Sequence, residues 1–106
     1  MTPDDEFDSL LARLKATRTM VSSALAGRPL LKTIDPIFLV TEIWIKSVKG
    51  LRMVVHKHGN RETIAEVDGV ADGMIPIMRQ YVSALEELAI QYRNETDAAD
   101  AQKEEV

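Results

Sequence analysis

Apolar-type side chains at Ile64, Val67, Ala71, Met74, Met78, Tyr81, Leu85, Leu88 and Tyr92 alternate at spacings of three and four residues. That period aligns them as one seam along a helix packed on other helices, and it predicts an all-α fold. Val70 and Ile77 flank the seam on one side, and Ile75, Val82 and Ala89 on the other. A stripe this broad serves two neighbours, as in a helical bundle, rather than the single partner of a coiled coil. Gly69, Gly73 and Pro76 interrupt the run, but they fall on the opposite face and the apolar phase is unchanged across them. Proline removes one backbone donor and crowds the carbonyl four residues back, here that of Asp72. The pattern therefore predicts a third helix over about residues 61–94, kinked or broken near Gly73 and Pro76.

Two helices precede it. The first opens with Thr2 as N-cap, Pro3 at the first helical position and Asp4, Asp5 and Glu6 at the positive helix end. Phe7, Leu10, Leu11, Leu14, Val21, Ala24 and Leu25 supply its apolar stripe, and Gly27 with Pro29 ends it, giving about residues 3–26. Asp35 followed by Pro36 reads as the cap and first residue of a second helix, about 36–57, closed by a left-handed cap at Gly59. On a wheel, Ile37, Val40, Trp44, Val48, Leu51 and Val55 share one side, opposite Glu42, Lys46, Lys49, His56 and Lys57. The β-branched content of residues 37–67 suggests a strand meander instead. Period-two alternation fails at Ile43-Trp44-Ile45 and Met53-Val54-Val55, whereas the helical sorting does not. The expected architecture is a bundle of three main helices in one domain, residues 1–94, followed by an acidic, disordered tail, 95–106.

Length alters this picture further. A third helix of about 33 residues reaches roughly 50 Å, against about 35 Å for either of the others. It should overhang them and leave part of its stripe uncovered, which a homodimer or a partner protein would cover. Met74, Met78, Tyr81, Leu85, Leu88 and Tyr92 are the residues expected to bind that partner.

Charge is segregated along the chain. The net charge of −4 divides into −1 over residues 1–27, +5 over 28–61 and −8 over 62–106. Overall acidity disfavours general nucleic-acid binding, while the asymmetry favours pairing between segments or subunits. Lys46, Lys49, Arg52 and Lys57 form a basic contact surface able to meet phosphates, although no aromatic residue is interleaved for base stacking. The apolar stretch 37–55 contains Glu42, Lys46, Lys49 and Arg52, too much charge for a membrane span. The acidic start at residues 1–6 does not read as a signal peptide. With no cysteine in the chain, disulfides, thiolate metal sites and thiol nucleophiles are excluded, and the composition fits a cytoplasmic protein.

Candidate chemistry is sparse. His56 and His58 diverge on a helix, and no third ligand type accompanies them. Glu62 with Glu66, and Asp68 with Asp72, are i, i+4 carboxylate pairs on the solvent side. No nucleophile with a base, phosphate loop or zinc spacing appears, so no catalytic, cofactor or metal site is expected. Ile45-Lys46-Ser47-Val48-Lys49-Gly50 resembles the signature of histidine phosphotransfer domains over six residues. Lys46 stands where that family carries its phosphorylated histidine, so the resemblance implies a helical bundle that binds a signalling partner without transferring phosphate. The main expectation is a small, non-enzymatic interaction module, an inhibitor, antiactivator or adaptor. A nucleic-acid-associated regulator and a degenerate phosphotransfer-like bundle are the alternatives.

Overall fold

The computed structural model describes residues 2–104, with the backbone alone described for residues 101–104. Three helices form an all-α bundle: α1 (Pro3–Ala24), α2 (Leu30–His58) and α3 (Arg61–Glu104). Ion pairs fix their directions. Glu6 pairs with Arg79, Arg13 with Glu86, and Thr96 donates to the Ala24 carbonyl, so α1 and α3 run parallel with a nearly constant offset. Asp8 pairs with Lys49 and Asp35 with Arg18, so α2 is antiparallel to α1. Trp44 meets Tyr81 and Arg52 meets Asp68, which sets α2 antiparallel to α3.

The start of α1 behaves as its sequence predicts. Thr2 Oγ1 accepts the Asp5 amide at 3.3 Å and the Asp5 carboxylate accepts the Thr2 amide at 3.2 Å, a reciprocal capping box. The helix ends two residues early, at Ala24, and Gly27 takes a positive φ of 75°.

The start of α2 differs from expectation. The helix begins at Leu30, not Pro36, with Pro29 as a cap that makes no side-chain hydrogen bond. Pro36 lies exposed inside the helix. Asp35 does not cap; its carboxylate receives two hydrogen bonds from the Arg18 guanidinium, both at 2.8 Å. Extending the helix back by two turns buries Ile34 and packs Leu31 on the core. At its other end Gly59 is extended (φ −80°) rather than left-handed.

α3 is one continuous helix through Pro76, with no break. The molecule's longest dimension is 68 Å. Forty-four residues at 1.5 Å per residue span about 66 Å, so Pro76 introduces no sharp bend. Gly69, Gly73 and Pro76 are all exposed, where the lost hydrogen bond faces water. The helix also passes residue 94. Residues 95–104, expected to be disordered, are helical; Ala98, Ala99 and Ala101 favour that state, and Thr96 helps by capping the last carbonyl of α1. Residues 105 and 106 of the expected tail lie outside the described residues.

The core is built from Phe7, Leu10, Leu14, Val21 and Leu25 of the first helix region, Ile34, Phe38 and Ile45 of α2, and Ala71, Ile75, Met78, Val82, Leu85 and Ala89 of α3. The buried hydroxyls of Thr17 and Thr41 donate to the carbonyls of Arg13 and Ile37, four residues back. Among the described residues no buried side-chain polar atom lacks a partner.

Candidate protein-interaction surface

The wheel that sorts α2 so cleanly has its apolar side turned outward as much as inward. Ile34, Phe38, Thr41 and Ile45 point to the core. The neighbouring stripe, the apolar side of the sequence wheel, is left largely in solvent: Val40 is 65% exposed and Leu51 57%. Ile37 and Val54 are exposed with them, and Trp44 is half-buried. Facing them across the α2–α3 groove are Val70, 56% exposed, and Ile77, 55% exposed, with Tyr81 and half-buried Met74 and Leu88 between. The side chains of α2 and α3 thus make one apolar face on the side of the bundle away from α1. The face is longest where α1 gives out: Glu6 lies level with Arg79, so residues 61–74 of α3 pack on α2 alone. There the two helices enclose a shallow groove of about 250 Å³, lined by Val48, Leu51, Val67, Val70, Ala71 and Met74, with Glu66 at its edge. Outside this groove, further along the face, Trp44 and Tyr81 meet edge to face, with ring centroids 6.1 Å apart and planes at 83°, an arrangement that favours both quadrupoles.

Charge is organised around this face. At about 100° per residue, the outward stripe of α2 from Thr33 to Val55 carries no charged side chain, and that of α3 is uncharged between Glu66 and Glu95. On the α1 side the charges are consumed internally. Arg13 bonds Glu86 at 2.5 Å and Ser83 at 3.2 Å. Arg52 holds Asp4 at 2.9 Å and Asp68 at 3.1 Å, and His56 reaches the same Asp68 at 2.6 Å, tying all three helices together. The hydrogen bond from His56, then the charges of His56 and Arg52, hold the Asp68 carboxyl below its ordinary pKa. Arg13 does the same to Glu86, and Arg18 to Asp35.

These contacts decide the fate of the residues singled out by sequence. Of the six expected to bind a partner, Met78 (0% exposed) and Leu85 (6%) are core residues, turned between α1 and α2. Tyr81 is exposed, and Met74, Leu88 and Tyr92 are half-buried. Of the basic surface, Lys49 is bound to Asp8, Lys46 to Glu42 and Arg52 to two carboxylates. Lys57 is the member of that set with no ion pair among the described residues, so the four do not present a continuous row of free cations. Lys46, at the phosphotransfer-like position, points its ammonium at Glu42, 2.7 Å away. Glu62 and Glu66 are exposed, and no three His, Asp or Glu side chains converge on a point among the described residues. None of the described helices is long and apolar enough to cross a membrane.

Comparison with protein-family models, curated proteins and solved structures finds no match to this chain.

Ile37, Val40, Leu51, Val54, Val70 and Ile77 are surface residues that sequence reasoning did not single out as binding a partner. The signal for them was a second spacing inside α2. Ile34, Phe38, Thr41 and Ile45 form their own i, i+4, i+7, i+11 stripe beside the one at Ile37, Val40, Trp44 and Leu51. Two stripes on one helix need two covers, and the chain supplies one.

Proposed function

We propose that this chain is a small cytoplasmic, non-enzymatic protein-interaction module whose working surface is the apolar face formed by α2 and α3. A regulatory or accessory factor of this kind acts by occupying or bridging larger proteins. The supporting observation is the exposure of Val40, Leu51, Val70 and Ile77, each more than half open to solvent, on a face without charge at its centre. Contiguous apolar surface of this extent, rimmed by charge, is uncommon on a chain that works alone and is typical of protein contacts.

A photo-crosslinking amino acid installed in living cells tests this reading. Placed at Ile77 or Val40, it should yield a discrete protein adduct, with a second copy or with another protein. Placed at exposed Ala12 or Ala16 on the outside of α1, it should not. Equal yields from both sides, or no adduct from either, would refute the reading.

A further inference from the structure

We infer that the partner of the α2–α3 face is a second copy of this chain, docked about a twofold axis that runs parallel to the helices. The inference rests on the interaction reading above and names its occupant. Each protomer would lay α2 on the partner's α3, and α3 on the partner's α2, making a shared four-helix core in which every neighbour is antiparallel.

The first support is area. A half-exposed aliphatic or aromatic side chain leaves on the order of 50 Å² of apolar surface open. Over Ile37, Val40, Trp44, Leu51, Val54 and their α3 counterparts this amounts to roughly 500 Å². A standard protein interface covers about 800 Å² per partner, a little over half of it apolar. One copy of the face therefore has the material for one such interface, and no more.

The second support is charge, which also selects the axis. The far flank of α2, beyond this face, is basic at Lys32 and Lys57, and the α3 side is acidic at Glu66, which lines the groove, and at Glu87 and Glu95. None of these five has an ion-pair partner among the described residues, in contrast to the charges beside α1, most of which are paired. With the axis parallel to the helices, heights along the bundle are preserved between copies. Trp44 lies level with Tyr81, and Arg52 within reach of Asp68. By the same antiparallel register, Lys57 comes level with the partner's Glu66, and Lys32 with the partner's Glu95. An axis perpendicular to the helices would instead lay α2 on α2 and α3 on α3, bringing Lys57 toward the partner's Lys32 and Glu66 toward the partner's Glu95. Like charges on both edges disfavour that arrangement. The face is thus complementary to itself in shape of charge as well as in polarity, the requirement for an isologous contact.

The third support is the overhang. In the parallel arrangement the ends of the two helices beyond the start of α1, residues 53–58 with 61–74, lie side by side. The groove beside Leu51 and Val70 in each protomer is then closed by the same groove of the other.

Light scattering and sedimentation equilibrium on the purified full chain, at tens of micromolar, should give twice the 11.8 kDa chain mass. Val40→Asp and Ile77→Asp should each give the monomer with an unchanged helical circular dichroism spectrum. The rim variants are milder and stand at exposed positions, so they test the contact with little disturbance of the core. Lys57→Glu and Glu66→Lys should each weaken self-association, by about tenfold over the two symmetric pairs. Mixed together they should form a heterodimer of near wild-type affinity, because both crosswise pairs are then of opposite sign. The lone Trp44 provides a second readout, its emission shifting to the red as the protein is diluted below the dissociation constant.

A monomeric wild type at these concentrations would overturn the inference, as would a dimer untouched by both Val40→Asp and Ile77→Asp. A dimer lost in those variants, but with no preference for the Lys57→Glu with Glu66→Lys heterodimer, would overturn the axis. Failure of the broader reading is distinguishable. A monomer that still gives an adduct from Ile77 with a different protein preserves the interaction module and removes only the self-association.

Discussion

Two glycines show that the same residue type can be required for different reasons. Gly27, after the end of α1, has φ of 75°, and a Cβ there would meet no atom within 4 Å. Its requirement is conformational, since side chains disfavour that region by roughly 1–2 kcal/mol. Gly59, after α2, has an ordinary φ, but a Cβ would sit 2.6 Å from the Val55 carbonyl oxygen. Its requirement is steric and set against backbone, which cannot swing aside. Gly27→Ala should therefore lower unfolding stability by about 1 kcal/mol with no change in structure. Gly59→Ala should cost more and shift the α2–α3 connection, visible as altered amide exchange at Asn60 to Thr63. At the same scale Arg52 changes meaning. As one of four basic residues in the sequence it reads as a contact residue, yet it is bound to Asp4 and Asp68 and mostly covered. Arg52→Ala should lower the urea midpoint by an amount equivalent to about 1–2 kcal/mol, the partial exposure of both carboxylates holding it below the value for a buried pair.

At the scale of elements, what was legible in the sequence was periodicity, and what was not was competition among signals. The all-α class, the phase of α3 across Pro76 and the N-cap of α1 follow from spacings that tertiary contacts did not oppose. The start of α2 does not. Asp35-Pro36 has the form of a helix start, but burial of Ile34 and the two bonds between Arg18 and Asp35 act against that signal and carry the helix back to Leu30. The outer stripe of α2 is legible as an apolar side but its cover is not, because a wheel gives the direction of an apolar face without saying how many neighbours stand on that side. Likewise the residues of the α3 seam divide between core and surface, Met78 and Leu85 inward and Tyr81 outward. The long α3 carries two exposed glycines with open space around each missing Cβ, Gly69 and Gly73. Glycine in an exposed helix interior costs up to about 1 kcal/mol relative to alanine. Gly69→Ala should accordingly raise the thermal midpoint, and a drop would mean that this position meets something besides solvent.

At the scale of the whole molecule, the helices are joined by ion pairs as well as by the core, and this makes the fold sensitive to acid in a defined direction. Asp35 is held below its ordinary pKa by Arg18, Glu86 by Arg13, Asp68 by His56 and Arg52, and Glu42 by Lys46. The first three of these carboxylates join different helices. A carboxyl whose pKa is lower folded than unfolded stabilises the fold above its unfolded pKa, and that contribution disappears as pH falls through the folded pKa. Unfolded Asp and Glu titrate near 4, at about 3.9 and 4.3. Stability should therefore be level between about pH 7 and 5 and should decline below about pH 4.5, continuing past the unfolded values because the folded ones lie lower. Urea unfolding at fixed protein concentration, followed by circular dichroism, measures this. The double variant Asp35→Asn with Glu86→Gln removes two of the linking charges. It should be less stable than wild type at neutral pH, decline less steeply in acid, and approach wild type as pH falls through the lowered folded pKa values of Asp35 and Glu86. If the gap between the two proteins did not narrow as pH fell below the unfolded carboxylate values, the variant would be reporting lost packing rather than lost charge. The acid sensitivity would then belong to other groups.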